Sequence, residues 1–339
     1  MRSSQRLLIG RGAVKTPPQR AVVTVGVFDC VHRAHQRLIH ATTSTARRLN
    51  GVSVVITFDP DPQSILDPSH AQPALMPFEA RVGQLFELGT DWVWVIPFTK
   101  RFSQTTAERF VRHVLVGQLH AVALIVGSSF VFGRSRQGDL DVLKRLGAQM
   151  GMRILPVQEM RVGNAPISSS RIRRLLAEGD LASAAQLLGR APALYGVVVR
   201  GAGRGRRLGF PTANVQLTSR VLPPTGVYAV TVRLINRPWR GQRFTSSSDG
   251  SSDCLALRVS GSAAWNGVMN FGVRPTFGSG PLVCEVHLPG FSGTLLGRAL
   301  EVSLLRRLRN ERCFPSPEAL QRQLHRDVER ARQLSARSV

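Results

Sequence analysis

From residue 21 to residue 157 the chain alternates short apolar runs with helix-patterned stretches, and no other feature restricts its fold as much. The apolar runs at 22–27, 52–58, 92–96, 121–126 and 152–157 read as buried strands. Helical patterns fill the intervals at 33–49, 78–88 and 140–150. Thr105-x-x-Glu108 has the form of a capping box for a further helix running to Leu119. Strands that take turns with helices at this spacing predict a parallel, doubly wound α/β sheet.

The rhythm changes after Ser168. Two short helical patterns, 171–178 and 181–188, meet at Gly179-Asp180, a hinge between domains. Short β-rich segments follow at 195–200, 227–235, 254–259, 267–271, 283–288 and 300–305, separated by Gly, Pro, Asn or Ser. That series predicts a small antiparallel barrel. An amphipathic helix over 316–334, with Leu320, Leu324, Val328 and Ala331 on one stripe, closes the chain. Residues 1–20, polar and basic with Pro17-Pro18, read as a loose tail, and the serine-rich stretch 242–252 as a flexible insertion. The expected organisation is a tail at 1–20, a first domain at 21–178, a linker at 179–192 and a second domain at 193–339.

A length of 339 residues is enough for two domains with separate cores. The longest apolar runs, such as 121–126, are too short to span a bilayer, and Leu7-Leu8-Ile9 is too brief for a signal-peptide core. Both features point to a cytoplasmic protein without a membrane partner. Cys30, Cys254, Cys284 and Cys313 lie far apart with no Cys-x-x-Cys pair, so free thiols are expected rather than a zinc site or a disulfide framework. The net charge of +24 is nearly all arginine, with only Lys15, Lys100 and Lys144 as lysines. Polyanionic small substrates, a codon preference for Arg and a nucleic-acid partner all fit that charge. The scatter of Arg along the chain, without aromatic interleaving, ranks nucleic acid last.

The stretch from Arg200 to Asn214, RGAGRGRRLGFPTAN, is a glycine-spaced basic loop that stops at a rigid turn. Gly201, Gly203 and Gly205 would let peptide N–H groups approach an anion, and Arg204, Arg206 and Arg207 add forked donors suited to phosphate. Pro211 fixes the chain ahead of Thr212 and Asn214, whose oxygens can reach a hard cation such as Mg2+. On spacing alone an Arg-rich surface turn is an equal reading. The stretch resembles the nucleotide-binding signature of riboflavin kinases, and Gly209-Phe-Pro-Thr-Ala-Asn214 reproduces its Pro-Thr-Ala-Asn element without a departure.

A second signature sits where the first strand meets the first helix, in Gly26-Val-Phe-Asp-Cys-Val-His-Arg-Ala-His35. His32 and His35 are spaced to share one face at a helix start, where two imidazoles could stabilise charge on an α-phosphate. Taken alone, the pair also reads as two surface or partly buried histidines. The stretch resembles the adenylyltransferase signature of bifunctional bacterial riboflavin kinase/FAD synthetases. Thr57-Phe-Asp-Pro-Asp-Pro62, Val126-Gly-Ser-Ser-Phe-Val-Phe-Gly133 and Ile167-Ser-Ser-Ser-Arg-Ile-Arg173 follow in that family's order. The departures are Cys30 and Ala34 for glycines, Asp61 for histidine and Ser129 for Asp or Asn.

The resemblance implies a Rossmann-like nucleotidyltransferase domain followed by a riboflavin kinase β-barrel with a C-terminal helix. It implies His32 and His35 as catalytic, Ser168, Ser169, Ser170 and Arg171 on the triphosphate, and Ser129 at the flavin. In the second half it implies Thr212 and Asn214 on Mg2+ and Glu285, in Cys284-Glu-Val-His287, as the base. Arg309 and Glu311 would belong to a loop on the flavin side, while Arg274 and Thr276 read equally as a plain turn. The implied chemistry uses ATP as substrate and makes FMN from riboflavin, then FAD from FMN. A kinase with a weakened or repurposed nucleotidyltransferase domain is the second reading, motivated by the four departures. A basic RNA-binding protein on nucleotide folds is the third.

Overall fold

The computed structural model describes residues 5–201, 203, 205, 209–235, 264–273 and 282–336. The expected strand at 254–259, the serine-rich stretch 242–252 and Arg204, Arg206, Arg207, Arg274 and Thr276 lie outside the described residues. The chain divides into two compact units at Ser168/Ser169, upstream of the boundary expected at 178, with Ala74–Pro77 grouped with the second.

In the first unit, β1 (Arg6–Ile9), β2 (Ala21–Val25), β3 (Val52–Phe58), β4 (Trp92–Ile96), β5 (Ala121–Gly127) and β6 (Arg153–Val157) form one sheet, ordered β1-β4-β3-β2-β5-β6. All the pairings are parallel. The connections carry α1 (Arg33–Arg48), α2 (Pro62–Leu66), α3 (Phe78–Glu87), α4 (Lys100–Ser103), α5 (Ala107–Arg109) and α6 (Leu140–Gln149). A small hairpin, β7 (Arg161–Val162) with β8 (Ala165–Pro166), follows. Every residue of β2 and β4 is buried, as a sheet covered on both faces requires. Val23, Val54 and Trp94 join Leu115 and Leu143 in one core, while Val22, Ala123 and Ile125 meet Ala46 of α1 in another. Strand order reverses between β2 and β5, so the crevice for a ligand lies at the carboxyl ends of those strands.

Two expectations are corrected here. The stretch 1–20 is not a loose tail throughout, because Arg6–Ile9 pairs in parallel with β4 and buries Leu7 and Leu8. An edge strand needs only one neighbour, so this brief apolar run suffices. The helix expected to start at the Thr105 box is instead capped by Thr106, whose Oγ1 accepts from Arg109 N at 3.2 Å. Thr105 is used elsewhere, its carbonyl accepting from Arg134 N at 2.9 Å, and the helix continues in π-helical turns over Phe110–Gln118.

The second unit opens with α7 (Ser169–Glu178) and α8 (Leu181–Leu188). Its barrel comprises β9 (Ala193–Val199), β10 (Thr212–Leu217), β11 (Gly226–Ile235), β12 (Trp265–Val273), β13 (Leu282–His287) and β14 (Ala299–Arg309), closed in the order β10-β13-β12-β11-β14-β9. All neighbours are antiparallel. Tyr228, Val230, Met269, Phe271 and Val286 are buried along it. The last helix, α9 (Pro317–Ala336), packs Val328 and Ala331 against Val227, Ala229 and Val268 on the barrel's outer face. β10 was not expected as a strand; its polar residues Thr212, Asn214 and Gln216 masked the period of two.

Candidate active sites

On the barrel, Asn214 of β10 stands directly opposite Glu285 of β13, which in turn stands opposite Asn270 of β12. Directly paired residues share a face, and Thr212, two residues before Asn214, shares it too. Their alternates Val215 and Val286 are buried, so the hydroxyl, amide and carboxyl lie half-buried on the outer face. The glycine loop closes directly on these groups. A methyl at Gly201 would stand 1.9 Å from Asn214 Nδ2, and one at Gly205 would stand 3.1 Å from Thr212 Oγ1. Gly203 turns the loop at φ 67°, and Phe210 N donates to Gly205 O at 2.9 Å. His287 Nδ1 donates to the Pro211 carbonyl at 2.8 Å, fixing the turn before Thr212.

This oxygen-lined cradle fits a hard cation bound through few protein ligands. No cluster of three or more His, Cys, Asp or Glu among the described residues could hold a metal ion. Cys284, beside Glu285, supplies no nucleophile, because burial and then the neighbouring carboxylate push its thiol up to about 12.

The end of β14 and the loop after it carry Arg309 and Glu311, the two residues the resemblance implied at the flavin. Glu311 lies over Gly272 of β12, where an added methyl would stand 1.9 Å from its carboxyl carbon. Arg309, expected at the flavin, gives Nε and Nη2 to Asp327 Oδ2 of α9 at 3.0 and 2.9 Å. Two of its three guanidinium nitrogens are thus tied to the helix, and Nη1 donates to the Asn310 carbonyl at 3.1 Å.

At the edge of the parallel sheet, the turn after β2 carries Phe28, Cys30 and Val31 at φ 55°, 60° and 42°. A left-handed position suits glycine, and a side chain there costs roughly 1–2 kcal/mol, so Cys30 is the strained departure. Ala34 sits in the first turn of α1, where alanine is well tolerated. His32 is buried and caps α1, its Nδ1 accepting from His35 N at 3.3 Å. The two imidazoles stack with centroids 3.6 Å apart. Asp61 caps α2 through Oδ1, accepting from Gln63 N at 2.8 Å. Ser129 is exposed in the turn after β5. Ser168 ends the first unit, whereas Ser169, Ser170 and Arg171 form the first turn of α7.

Sequence reasoning missed Arg81 and a set of phenylalanines. Arg81, buried on α3, donates to the carbonyls of Val27 at 3.0 Å and Phe58 at 3.1 Å, tying the ends of β2 and β3 together. Burial, then His32, then Arg81 hold the His35 imidazole well below its ordinary value of 6.5. The unfolded chain therefore takes that proton before the folded one does. The contribution of His35 to stability is complete above pH 6.5 and is lost as the pH falls below it. Thermal midpoints measured from pH 7 down to 5 are expected to fall, and His35→Gln to flatten that slope. Beside the turn, a cavity of about 650 Å³ reaches from Val25–Val27 to Gly133. Its walls are Phe58, Phe98, Phe102, Phe110, Phe130 and Phe132, a lining suited to a flat aromatic ring. Only Phe58, Phe130 and Phe132 fall inside the motifs legible in sequence.

Comparison with known proteins bears on both sites. The family model described as FAD synthetase matches residues 14–171, and that described as riboflavin kinase matches residues 188–335. The bifunctional riboflavin kinase/FMN adenylyltransferase of Escherichia coli K12 is 35% identical over 319 residues, covering 94% of each chain. The protein of the same description from Pseudomonas fluorescens is 36% identical, covering 98% of this chain and 99% of its own. A crystal structure titled a macrolide-efflux protein from Streptococcus pneumoniae superposes with a TM-score of 0.76 at 28% identity, covering 94% of this chain and 95% of that one. No helix among the described residues here is long and apolar enough to cross a membrane. With two family models in tandem and relatives matched from end to end, the chain belongs to the bifunctional riboflavin kinase/FMN adenylyltransferase family.

Proposed function

We propose that the barrel unit transfers the γ-phosphoryl group of ATP to a riboflavin hydroxyl, giving FMN and ADP. The sheet unit transfers AMP from a second ATP to FMN, giving FAD and pyrophosphate. The observation that carries the reading is the pairing of Asn214 with Glu285 across adjacent strands, with Gly201 packed on the amide.

In the barrel, Glu285 takes the proton of the riboflavin hydroxyl as its oxygen attacks the γ-phosphorus and ADP departs. Gly201, Gly203 and Gly205, with Arg204 and Arg206, hold the phosphates. Thr212 and Asn214 would hold Mg2+, which when bound neutralises charge on the β- and γ-phosphates. Arg309 and Glu311 receive the flavin side, with Arg309 held in place by Asp327. In the sheet unit a phosphate oxygen of FMN attacks the α-phosphorus of ATP. His32 and His35 stabilise the charge that gathers there, and Ser168, Ser169, Ser170 and Arg171 hold the departing pyrophosphate. The phenylalanine cavity takes the flavin ring, and Ser129, the neighbour in sequence of its wall residue Phe130, binds the flavin. The adenylyltransferase domain runs over 21–178, extended by β1, and so takes in α7 beyond the sheet unit, while the kinase domain is 193–339, with 179–192 between them. The protein works in the cytoplasm on the small substrates riboflavin, FMN and ATP rather than at a membrane, and nucleic acid ranks last among its partners.

Chromatography of flavins tests both halves. Riboflavin with MgATP should give FMN, and FMN with MgATP and no riboflavin should give FAD. Absence of FMN in the first mixture overturns the kinase assignment; absence of FAD in the second leaves a kinase alone. Gly201→Ala pushes a methyl into the space of the Asn214 amide and is expected to lower kcat/KM for ATP in FMN formation about thirtyfold, the equivalent of roughly 2 kcal/mol of overpacking. Steady-state kinetics at varied ATP reads that loss, and FAD formation from FMN should be unaffected.

A further inference from the structure

The carboxylate of Asp327 is fully buried, at 0% exposure, on a helix that carries none of the residues assigned to chemistry. A buried charge of this kind is costly, and an apolar pair of similar volume would hold a helix to a barrel as well or better. Its partners give it a different job. Oδ2 receives Arg309, the last residue of β14, while Oδ1 accepts from Gln323 Nε2 at 2.8 Å. Gln323 Oε1 in turn accepts from Arg312 Nη2. Both guanidinium groups lie over the ring of Phe314, at 5.6 and 4.8 Å.

One carboxylate thus grips both sides of Glu311, directly at Arg309 and through Gln323 at Arg312. Glu311 is laid over Gly272, which belongs to the outward face of β12 that also carries Asn270. Two residues along a strand is about 7 Å, so the Glu311 carboxylate stands roughly that far along β12 from the row holding Glu285.

Resting on the kinase reading, we infer that Asp327 is a positioning residue that sets the flavin-side loop through Arg309 and Gln323, and so governs riboflavin binding without touching the substrate. Asp327→Asn keeps the shape and removes the charge. In the full chain it is expected to raise the riboflavin KM about tenfold, the scale of losing a charged hydrogen bond, with the KM for ATP and the conversion of FMN to FAD unchanged. The paired change Arg309→Met with Asp327→Leu is expected to recover the thermal midpoint while the riboflavin KM stays high.

The inference is overturned by a riboflavin KM within twofold of wild type in Asp327→Asn. It is also overturned by a parallel rise in the KM for ATP, or by an apolar pair that restores riboflavin binding. Riboflavin affinity is read in parallel by quenching of flavin fluorescence. A wild-type protein that binds riboflavin without turning it over sinks the kinase reading while the binding series still tests Asp327. One that binds no riboflavin overturns both.

Discussion

Glu285→Gln is expected to slow phosphorylation of riboflavin by roughly 10²–10⁴-fold, the range found when a general base is removed. Glutamine keeps the size of the side chain and its place opposite Asn214 in the strand register. What it loses is the ability to accept the hydroxyl proton as the phosphorus–oxygen bond forms. The fall should therefore be in kcat, with the KM values for riboflavin and ATP little changed. FAD formation from added FMN is the internal control, because that activity is assigned to the other unit. A variant that phosphorylates riboflavin within about threefold of wild type would remove Glu285 from the mechanism.

His32→Asn should do the converse, lowering the rate of FAD formation from FMN about 10²–10³-fold while riboflavin phosphorylation continues. Asparagine is chosen because His32 also caps α1, accepting from His35 N. Asn is among the preferred capping residues, whereas alanine would cost about 1 kcal/mol at that helix start and confuse stability with catalysis. What disappears is one of two stacked imidazoles beside the buried Arg81. Stopped mixtures analysed for FAD and pyrophosphate give the rate. Undiminished FAD formation would show that the adenylyl transfer does not depend on this pair.

Much of the fold was legible because burial left a simple signature. β2 to β5 are apolar runs in a sheet covered on both faces, and their spacing left room only for crossover helices. Elements that draw their stability from a partner were harder to see. Arg6–Ile9 is a strand because β4 offers it a ladder, and Thr212–Leu217 because β9 and β13 flank it. The N-cap moved from Thr105 to Thr106 because a distant amide, that of Arg134, claims the Thr105 carbonyl.

The sites divide in the same way. Contiguous motifs gave His32, His35, Thr212, Asn214 and Glu285, and the structure sets Asn214 beside Glu285 and His32 on His35. The phenylalanine cavity is assembled from segments scattered between Phe58 and Phe132, with no local pattern to announce it. Arg81 looked like one more arginine in an arginine-rich chain, and its role shows only in the two carbonyls it joins. Asp61, which stands where the family signature has histidine, spends an oxygen on the start of α2.

The ladder between β10 and β13 sets a limit on how this gene can drift. Along β13, Cys284 faces inward and Glu285 outward, so inserting or deleting one residue ahead of them would send the carboxylate into the apolar interior and the thiol to solvent. In a closed ring of strands there is no free margin where such a slip could be absorbed. Homologous strands here should therefore hardly vary in length.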